Sequence, residues 1–513
     1  MDKKNVIEME AIEDPKPGSS QVVSTDQQSS WAAQFAYLNK CRQSVFAATA
    51  CSSAAVLVGF DLTLIGSIIA NKQYVKSFGV YDSNAETWTL PASQQLVWTI
   101  VQFGAAFLGA FAAGLGNDKF GRQILFYMFI AFTTIGTTIE LVSPNWKVWV
   151  VAKLFMGWAM GSMWACTPTY VSELVPQQLR GFMLALFQFW IMLGSFLASC
   201  VLEGTSRIDN AWSWKAAVIS QYGMGLVCLV SFVCLVPESP YYLIRNGKID
   251  KAKDALLKLR KGEPDYDVDM DIESITQTMA HEKEASQSSA SYLDCFRGSD
   301  LRRTLLACLP LVMQQVAGYQ LCGGYLAYFL TLSGLNSPFV ITVVSFFLGM
   351  IAVLVAFALI EKVGRRTQFL GGAFGMLPCL AVIAILGFVG VGTTANGNSL
   401  AAFSIIWNVL YFLSLGAVGW TITGEMSSLR LRAKTTSIAA GVNSLLSLAS
   451  SVGIPYLLNA EELNLGPKAA LCFLVPSTFL SLLAYFVVPE TKGKSFDDLN
   501  RLFEAKTPAR EFV

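Results

Sequence analysis

The sequence predicts an all-α membrane protein of twelve transmembrane helices in two six-helix halves, and three observations carry that prediction. Of the 513 residues, 53% are hydrophobic and only 14% charged, with a mean hydropathy of +0.48; a soluble chain carries about a quarter charged residues. Twelve stretches are apolar over the roughly 20 residues that a helix needs to cross a bilayer. Charged loop signatures between those stretches recur in the same order in both halves of the chain.

The first 44 residues are polar, rich in Ser, Gln and Asp, and lack the short apolar core and small-residue cleavage site of a signal peptide. They are expected to form a disordered cytoplasmic tail, 1–44. The predicted spans are 45–70, 93–115, 123–143, 148–171, 182–203, 214–236, 302–332, 338–360, 367–391, 400–424, 435–458 and 468–488. Several contain Gly, Pro or a polar residue, which a bundle tolerates when neighbouring helices satisfy the freed backbone groups.

One sizeable polar insert, 237–300, separates the sixth and seventh spans and divides the chain into halves at 45–236 and 301–488, followed by a cytoplasmic tail at 489–513. Within the insert, Ile249, Ala252, Leu256 and Leu259 fall on one helical face against charged neighbours, which predicts a short amphipathic helix. His281, the single histidine, lies in the same insert and reads as an exposed linker residue rather than a pH switch.

A net charge of +1 says little about partners, because in a membrane protein the distribution of Lys and Arg among loops matters more than their sum. Lys40 and Arg42 precede the first span, and Lys119, Arg122, Arg180, Arg365, Arg366, Arg430, Arg432 and Lys434 follow even-numbered spans. By the positive-inside rule these loops and both termini face the cytoplasm, although Lys72, Lys76, Lys147 and Arg207 lie in the outward loops. The 11 cysteines are scattered singly with no CxxC pair, and are expected to pack as small residues without forming a disulfide framework or a metal site. No nucleophile, metal or nucleotide constellation occupies the polar segments, so neither an enzyme nor a nucleic-acid partner is expected.

The first half carries Gly114-x-x-x-Asp118-x-x-Gly121-Arg122, then Glu173 and Arg180, then Pro237-Glu238-Ser239-Pro240. The second half answers with Glu361-x-x-Gly364-Arg365-Arg366, Glu425 and Arg432, and Pro489-Glu490-Thr491-Lys492-Gly493, offset by roughly 250 residues, as in transporters built from parallel repeats. Acid and arginine side chains at these helix ends suit a latch that pairs across the halves and dissolves in each cycle. The candidates are Asp118, Arg122, Glu173 and Arg180 on one half and Glu361, Arg365, Glu425 and Arg432 on the other.

Asp61 stands in the middle of the first apolar stretch, where an acid is costly unless it is paired, hydrated or functional. Movement between two environments of different solvation and charge would let such a carboxyl load and release a proton.

Taken together, the motifs resemble those of the sugar porters of the major facilitator superfamily: the loop signatures above, Pro168-x-Tyr170-x-Ser172-Glu173-x-x-Pro176-x-x-x-Arg180-Gly181, and Gln314-Gln315-x-x-Gly318. Gly59-Phe60-Asp61-x-x-Leu64-x-Gly66-Ser67, Pro455-Tyr456-Leu457-Leu458-Asn459 and the tail from Leu502 to Phe512 are most similar to the fungal maltose and α-glucoside permease branch. The resemblance implies a major facilitator fold and alternating-access transport of a sugar across a membrane, usually the plasma membrane, by a monomer without a cofactor. It implies that Gln188, Gln314, Gln315 and Asn443 match sugar-contacting amides and that Trp420 matches a stacking tryptophan. Asp61 resembles the first-helix Asp of proton-coupled members, and Lys153 stands where an Arg often partners it; lysine keeps the charge without the bidentate fork. Gln320, where many members have Asn, Ser195 and Gly419 depart from the pattern, and specificity rests on such hydrogen-bond positions. A facilitative uniporter, a porter of another polyol-like solute, and a sugar sensor are the alternative readings; sensors typically add a long cytoplasmic tail, where here 489–513 follows the last span.

Overall fold

The computed structural model describes residues 41–511 apart from 83–85, 176, 262–265, 288–291, 336, 390–392, 428–430, 460–461, 493–498, 500, 504 and 506. The first span is two helices, α1 (Arg42–Ser53) and α2 (Ala55–Ile68), joined at Ala54. After it, the Asn71 side chain accepts hydrogen bonds from the amides of Gln73 and Tyr74 and starts the short α3 (Lys72–Phe78). A hairpin of β1 (Val80–Asp82) and β2 (Thr87–Thr89) follows. The remaining long helices of this half are α4 (Ala92–Phe120), α5 (Arg122–Val142), α6 (Trp146–Leu174), α7 (Gln177–Thr205) and α8 (Trp212–Leu235).

The polar insert folds as α9 (Pro240–Arg245), α10 (Ile249–Leu259) and α11 (Val268–Gln287), then a 3-10 turn at Tyr292–Phe296. Ala252, Leu256 and Leu259 of α10 are buried as the periodicity predicts, together with Ala255, whereas Ile249 at its first turn is exposed. The insert is fastened at two points along its length. Ser44 Oγ donates to the Leu259 carbonyl at 2.8 Å, while Cys295 lies 3.8 Å from Thr435 Oγ1 and Lys434 sits over the Tyr292 ring.

The second half contains α12 (Gly298–Val316), α13 (Leu326–Leu332), α14 (Pro338–Val363), α15 (Arg365–Leu386), α16 (Thr394–Leu413), α17 (Leu415–Met426), α18 (Arg432–Leu458) and α19 (Ala470–Val487). Among the described residues, eleven helical segments are long and apolar enough to cross a membrane. The predicted span 302–332 is the twelfth, and it is a broken one: α12 ends at Val316, Gly318 takes φ +91°, and a π turn at Gln320–Gly324 leads into α13. Irregular backbone at membrane depth is tolerated where protein buries it, and Gln320 to Gly323 are buried. The tenth span also breaks, at Ser414, whose φ of −128° and ψ of −93° separate α16 from α17.

Small residues let the helices approach closely, the usual device in a bilayer. A methyl group added at Gly161 of α6 would lie 1.8 Å from the Ala106 carbonyl oxygen of α4. Gly59 and Gly194 serve the contact between α2 and α7 in the same way, facing the carbonyls of Ile191 and Val56 at 1.9 and 2.1 Å.

The charged signatures cluster at one end of the bundle, the loop end; α3, the hairpin and the connection at 206–211 lie at the other, the far end. The two halves meet through α7 with α14, α4 with α18, and α2 with α13. They also approach closely toward the far end, where a methyl on Gly66 would lie 2.0 Å from the Gly324 carbonyl oxygen. Asn459 Nδ2 also donates across the halves there, to the Leu90 carbonyl at 3.1 Å.

Candidate functional site

The first of three constellations is a buried ion cluster in the half of the bundle toward the far end. Lys153 of α6, fully buried, donates from Nζ to Asp61 Oδ1 of α2 at 3.0 Å. It also stands 2.6 Å from Oε1 of Glu140 of α5, an ion pair whose angle falls outside hydrogen-bond geometry. The second oxygen of Asp61 accepts from Gln102 Nε2 of α4 at 2.7 Å, and Gln221 of α8 lies against Glu140. Burying one ion alone is prohibitive, so buried charges are held in pairs or larger sets. With all three groups ionised this set carries one net negative charge.

An aromatic roof closes the cluster toward the far end. Tyr74 and Phe78 of α3 pack against Trp149 and Trp214, with ring centroids between 4.8 and 5.9 Å apart. The Lys153 ammonium lies 5.3 Å from the centre of the Trp149 ring, a cation–π distance.

The second constellation gathers amides around the broken helices. Gln314 Nε2 donates to the Leu415 carbonyl at 2.7 Å, in the first turn of α17 just past the break at Ser414. Gly419 makes room for it, since a methyl there would lie 2.6 Å from that same Nε2. Gln315 Nε2 donates to Asn443 Oδ1 at 3.0 Å, and Gln320 Nε2, on the π turn, to Ser447 Oγ at 3.3 Å. Trp420 is 44% exposed. Asn443 lies on α18, the least buried of the candidate spans. Gln188, on α7 of the other half, is half-buried and makes no hydrogen bond among the described residues.

The third constellation is built twice. Gly121 and Gly364, with φ of +93° and +96°, each turn the chain sharply into the next helix. The carboxylate of Glu238 receives the Arg122 and Gln123 amides at 3.1 and 3.4 Å; that of Glu490 receives the Arg365 and Arg366 amides at 3.0 and 3.1 Å. Each carboxylate satisfies free helix N–H groups and meets the positive end of a helix dipole. Arg122 grips Glu173 with both Nε and a terminal nitrogen, at 3.0 and 2.8 Å, while Arg365 Nε reaches Glu425 at 3.4 Å. Ser239 donates to Glu173, and Thr491 Oγ1 to Glu425 at 2.5 Å.

In this structure the described members of the expected latch pair inside their own halves. The described pairs Arg122–Glu173 and Arg365–Glu425 form within each half, not across the halves. The reason is local: each glycine turn and its acid cap aim the arginine at the neighbouring helix of its own half. The side chains of Asp118, Arg180, Glu361 and Arg432 lie outside the described residues, as does that of His281.

Glu140, Gln102, Glu238 and Glu490 were not singled out from sequence. Glu140 lies three residues from the end of the apolar stretch 123–143, with no motif around it to mark it. Glu238 and Glu490 are the acids of the repeated Pro-Glu-Ser/Thr motifs; what sequence did not disclose is that their caps meet the turns at Gly121 and Gly364.

The family profile described as "Sugar (and other) transporter" matches residues 46–503. Among curated relatives, the chain is similar to the major facilitator-type transporter ecdD of Aspergillus rugulosus, 28% identical over 89% of this chain and 87% of that one. It is 25% identical to the low-affinity glucose transporter HXT1 of Saccharomyces cerevisiae over 87% of this chain and 79% of that one. The alpha-glucosides permease MPH3 of the same yeast is 26% identical over 90% and 77%, so identity does not favour the α-glucoside branch over hexose carriers. Among solved structures, the inward open conformation of the xylose transporter XylE from E. coli superposes with a TM-score of 0.70 at 18% identity, over 89% of this chain and 98% of that one. By that family match over most of its length, and by its two six-helix halves, the chain belongs to the sugar porter family of the major facilitator superfamily.

Proposed function

We propose that the chain is a proton-coupled sugar symporter working by alternating access, with the loop end facing the cytoplasm and the plasma membrane as its site. The observation that carries this reading is the Asp61 carboxylate held by Lys153 at 3.0 Å. A structural ion pair deep in a bundle is costly, and such intramembrane charges mark ion and proton paths. In the proposed cycle Asp61 takes a proton from outside, sugar binds between the halves, the loop end opens, and both are released inside. The contacts between the halves toward the far end, at Gly66 and Asn459, suit the inward-facing stage.

Gln188, Gln314, Gln315, Gln320, Asn443 and Trp420 are the groups proposed to hold the sugar, amides for its hydroxyls and the exposed indole for its C–H face. The glucose and alpha-glucosides named for the yeast relatives, and the proton:xylose symporter named among the structural neighbours, support a hexose or an α-glucoside such as maltose as cargo. No cofactor beyond the proton enters the scheme. At the loop end, the internal pairs Arg122–Glu173 and Arg365–Glu425 keep each half rigid as it moves. Asp118, Arg180, Glu361 and Arg432 are the further members of the proposed gate at that end.

The test is uptake of labelled mono- and disaccharides into proteoliposomes with and without an imposed pH gradient. Accumulation when the outside is acidic is the expected result, and Asp61→Asn is expected to abolish it while sparing exchange of preloaded sugar. Uptake that only equilibrates, whatever the gradient, would make the protein a uniporter.

A further inference from the structure

We propose that Glu140 is a positioning residue for proton coupling: it holds Lys153 while Asp61 carries the proton. This rests on the symport reading above and adds to it a residue that neither the motifs nor the family match assigns.

The geometry is that of an ammonium shared by two carboxylates, Asp61 Oδ1 at 3.0 Å and Glu140 Oε1 at 2.6 Å, with Glu140 fully buried. With a single carboxylate, protonating Asp61 would strand a buried lysine cation with no counter-ion, and removing one partner of a buried pair is strongly unfavourable. With Glu140 present, the same proton leaves a neutral Lys153–Glu140 pair beside a neutral acid. The balance is simple. One proton from the far-end solution binds an Asp61 oxygen, the Lys153 ammonium shifts its weight to Glu140, and the cluster goes from one net negative charge to none. On release the proton departs from Asp61, and Lys153 returns to bridging both carboxylates.

The choice of lysine fits this role. Its ammonium is a compact charge on a flexible stem and can move between two acceptors, whereas an arginine fork locks onto one. Among the described residues, the other groups facing the cluster leave Glu140 as the one second counter-ion. Gln102 from α4 is neutral and already committed to Asp61, Gln221 from α8 is neutral, and Trp149 and Trp214 offer ring faces. Tyr74 from α3 is the one further titratable group facing Glu140, and a tyrosine is neutral across the physiological range.

The test uses the full chain in proteoliposomes, as wild type, Glu140→Gln and Glu140→Asp, with labelled glucose and labelled maltose as probes. Two quantities are read over a series of pH values: accumulation under a pH gradient, and counterflow with equal pH on both sides. In Glu140→Gln, accumulation is expected to fall about tenfold or more relative to counterflow, the effect of removing one nearby charge, and the pH optimum of uptake to move toward acid. Glu140→Asp, which keeps the charge one methylene shorter, is expected to recover most of the ratio. A merely structural role would lower accumulation and counterflow together in both variants, and that result, or an unmoved ratio and pH profile, overturns the proposal. Should Glu140→Gln not be recovered folded, Glu140→Met, also uncharged and of similar size, is read in the same way, and an unmoved ratio and pH profile there overturns the proposal. Wild type that moves neither probe, or equilibrates without accumulating, overturns the symport reading and this inference with it. Normal accumulation in Glu140→Gln overturns the inference alone.

Discussion

Gly121 and Gly364 hold the same left-handed backbone in the two halves, and each faces a carboxylate oxygen at the same distance. A methyl group at either would lie 2.7 Å from that oxygen, of Glu238 in the first half and of Glu490 in the second. Gly121→Ala and Gly364→Ala therefore meet both backbone strain and a displaced helix cap. Each is expected to lower stability by about 1–3 kcal/mol, read as a fall in the unfolding temperature of the purified protein. Unchanged melting in both variants would mean the turns are more pliable than their geometry indicates.

The two copies of the arginine–glutamate pair are unequal. Arg122 binds Glu173 with two nitrogens in a site only 6% and 11% exposed, whereas Arg365 reaches Glu425 at 3.4 Å in a site 13% and 25% exposed. Glu173→Gln is expected to cost about 1.5–3 kcal/mol, the range for hydrogen bonds to charged groups, and Glu425→Gln clearly less. Thermal melts of the two variants side by side decide the order; equal losses would contradict it.

Neutralising Lys153 alone leaves two buried carboxylates without a cation. Lys153→Met should destabilise by about 3–5 kcal/mol at neutral pH. That penalty should shrink as pH falls, since protonating the carboxylates removes the buried charge. The triple variant Asp61→Asn, Lys153→Met, Glu140→Gln should regain most of the loss, because a neutral set needs no counter-ion. If the triple variant melts no higher than the single one, packing and not charge governs this site.

Gly66 joins the halves toward the far end, a contact expected to break when that end opens. Gly66→Ala places a methyl 2.0 Å from the Gly324 carbonyl oxygen and should shift the population toward far-end-open conformers. Spin-label distances between Arg207→Cys and Leu463→Cys, both exposed at the far end, should lengthen in a chain whose exposed Cys234 and Cys472 are replaced by Ser. An identical distance distribution with and without the methyl would refute the shift.

The amides separate by what they already bond. Gln315→Ala and Trp420→Ala should raise KM for the transported sugar with little change in melting temperature, about tenfold for a lost directed contact. Gln314→Ala should lower the melting temperature as well, because its amide braces the Leu415 carbonyl at the helix break. Transport kinetics and melts on the same preparations would expose a wrong assignment.

The halves, the spans and the doubled signatures were legible in the sequence because a bilayer admits few solutions. Long apolar runs must be helices there, and a repeated motif order marks a repeated fold. Partnership was harder to read. The pair Asp61–Lys153 was visible as two charges in apolar runs, but Glu140 joins them only because α5 and α6 set it against the same ammonium. Likewise Gln314 and Gln315 are adjacent in sequence yet face different helices, one bracing α17 and the other meeting α18. Which way an arginine turns at a helix end depends on a glycine's dihedral angle and on a cap more than a hundred residues later, as at Gly121 and Glu238.

The insert between the halves is anchored to different moving bodies. Leu259 is tied to the first helix through Ser44, and the turn at Tyr292–Phe296 is tied to α18 through Thr435 and Lys434. Rocking of one half against the other, as proposed, is expected to change the separation of those two anchorages, Leu259 and Tyr292, with each cycle. A fluorophore pair placed across them would report each turnover without touching the substrate path.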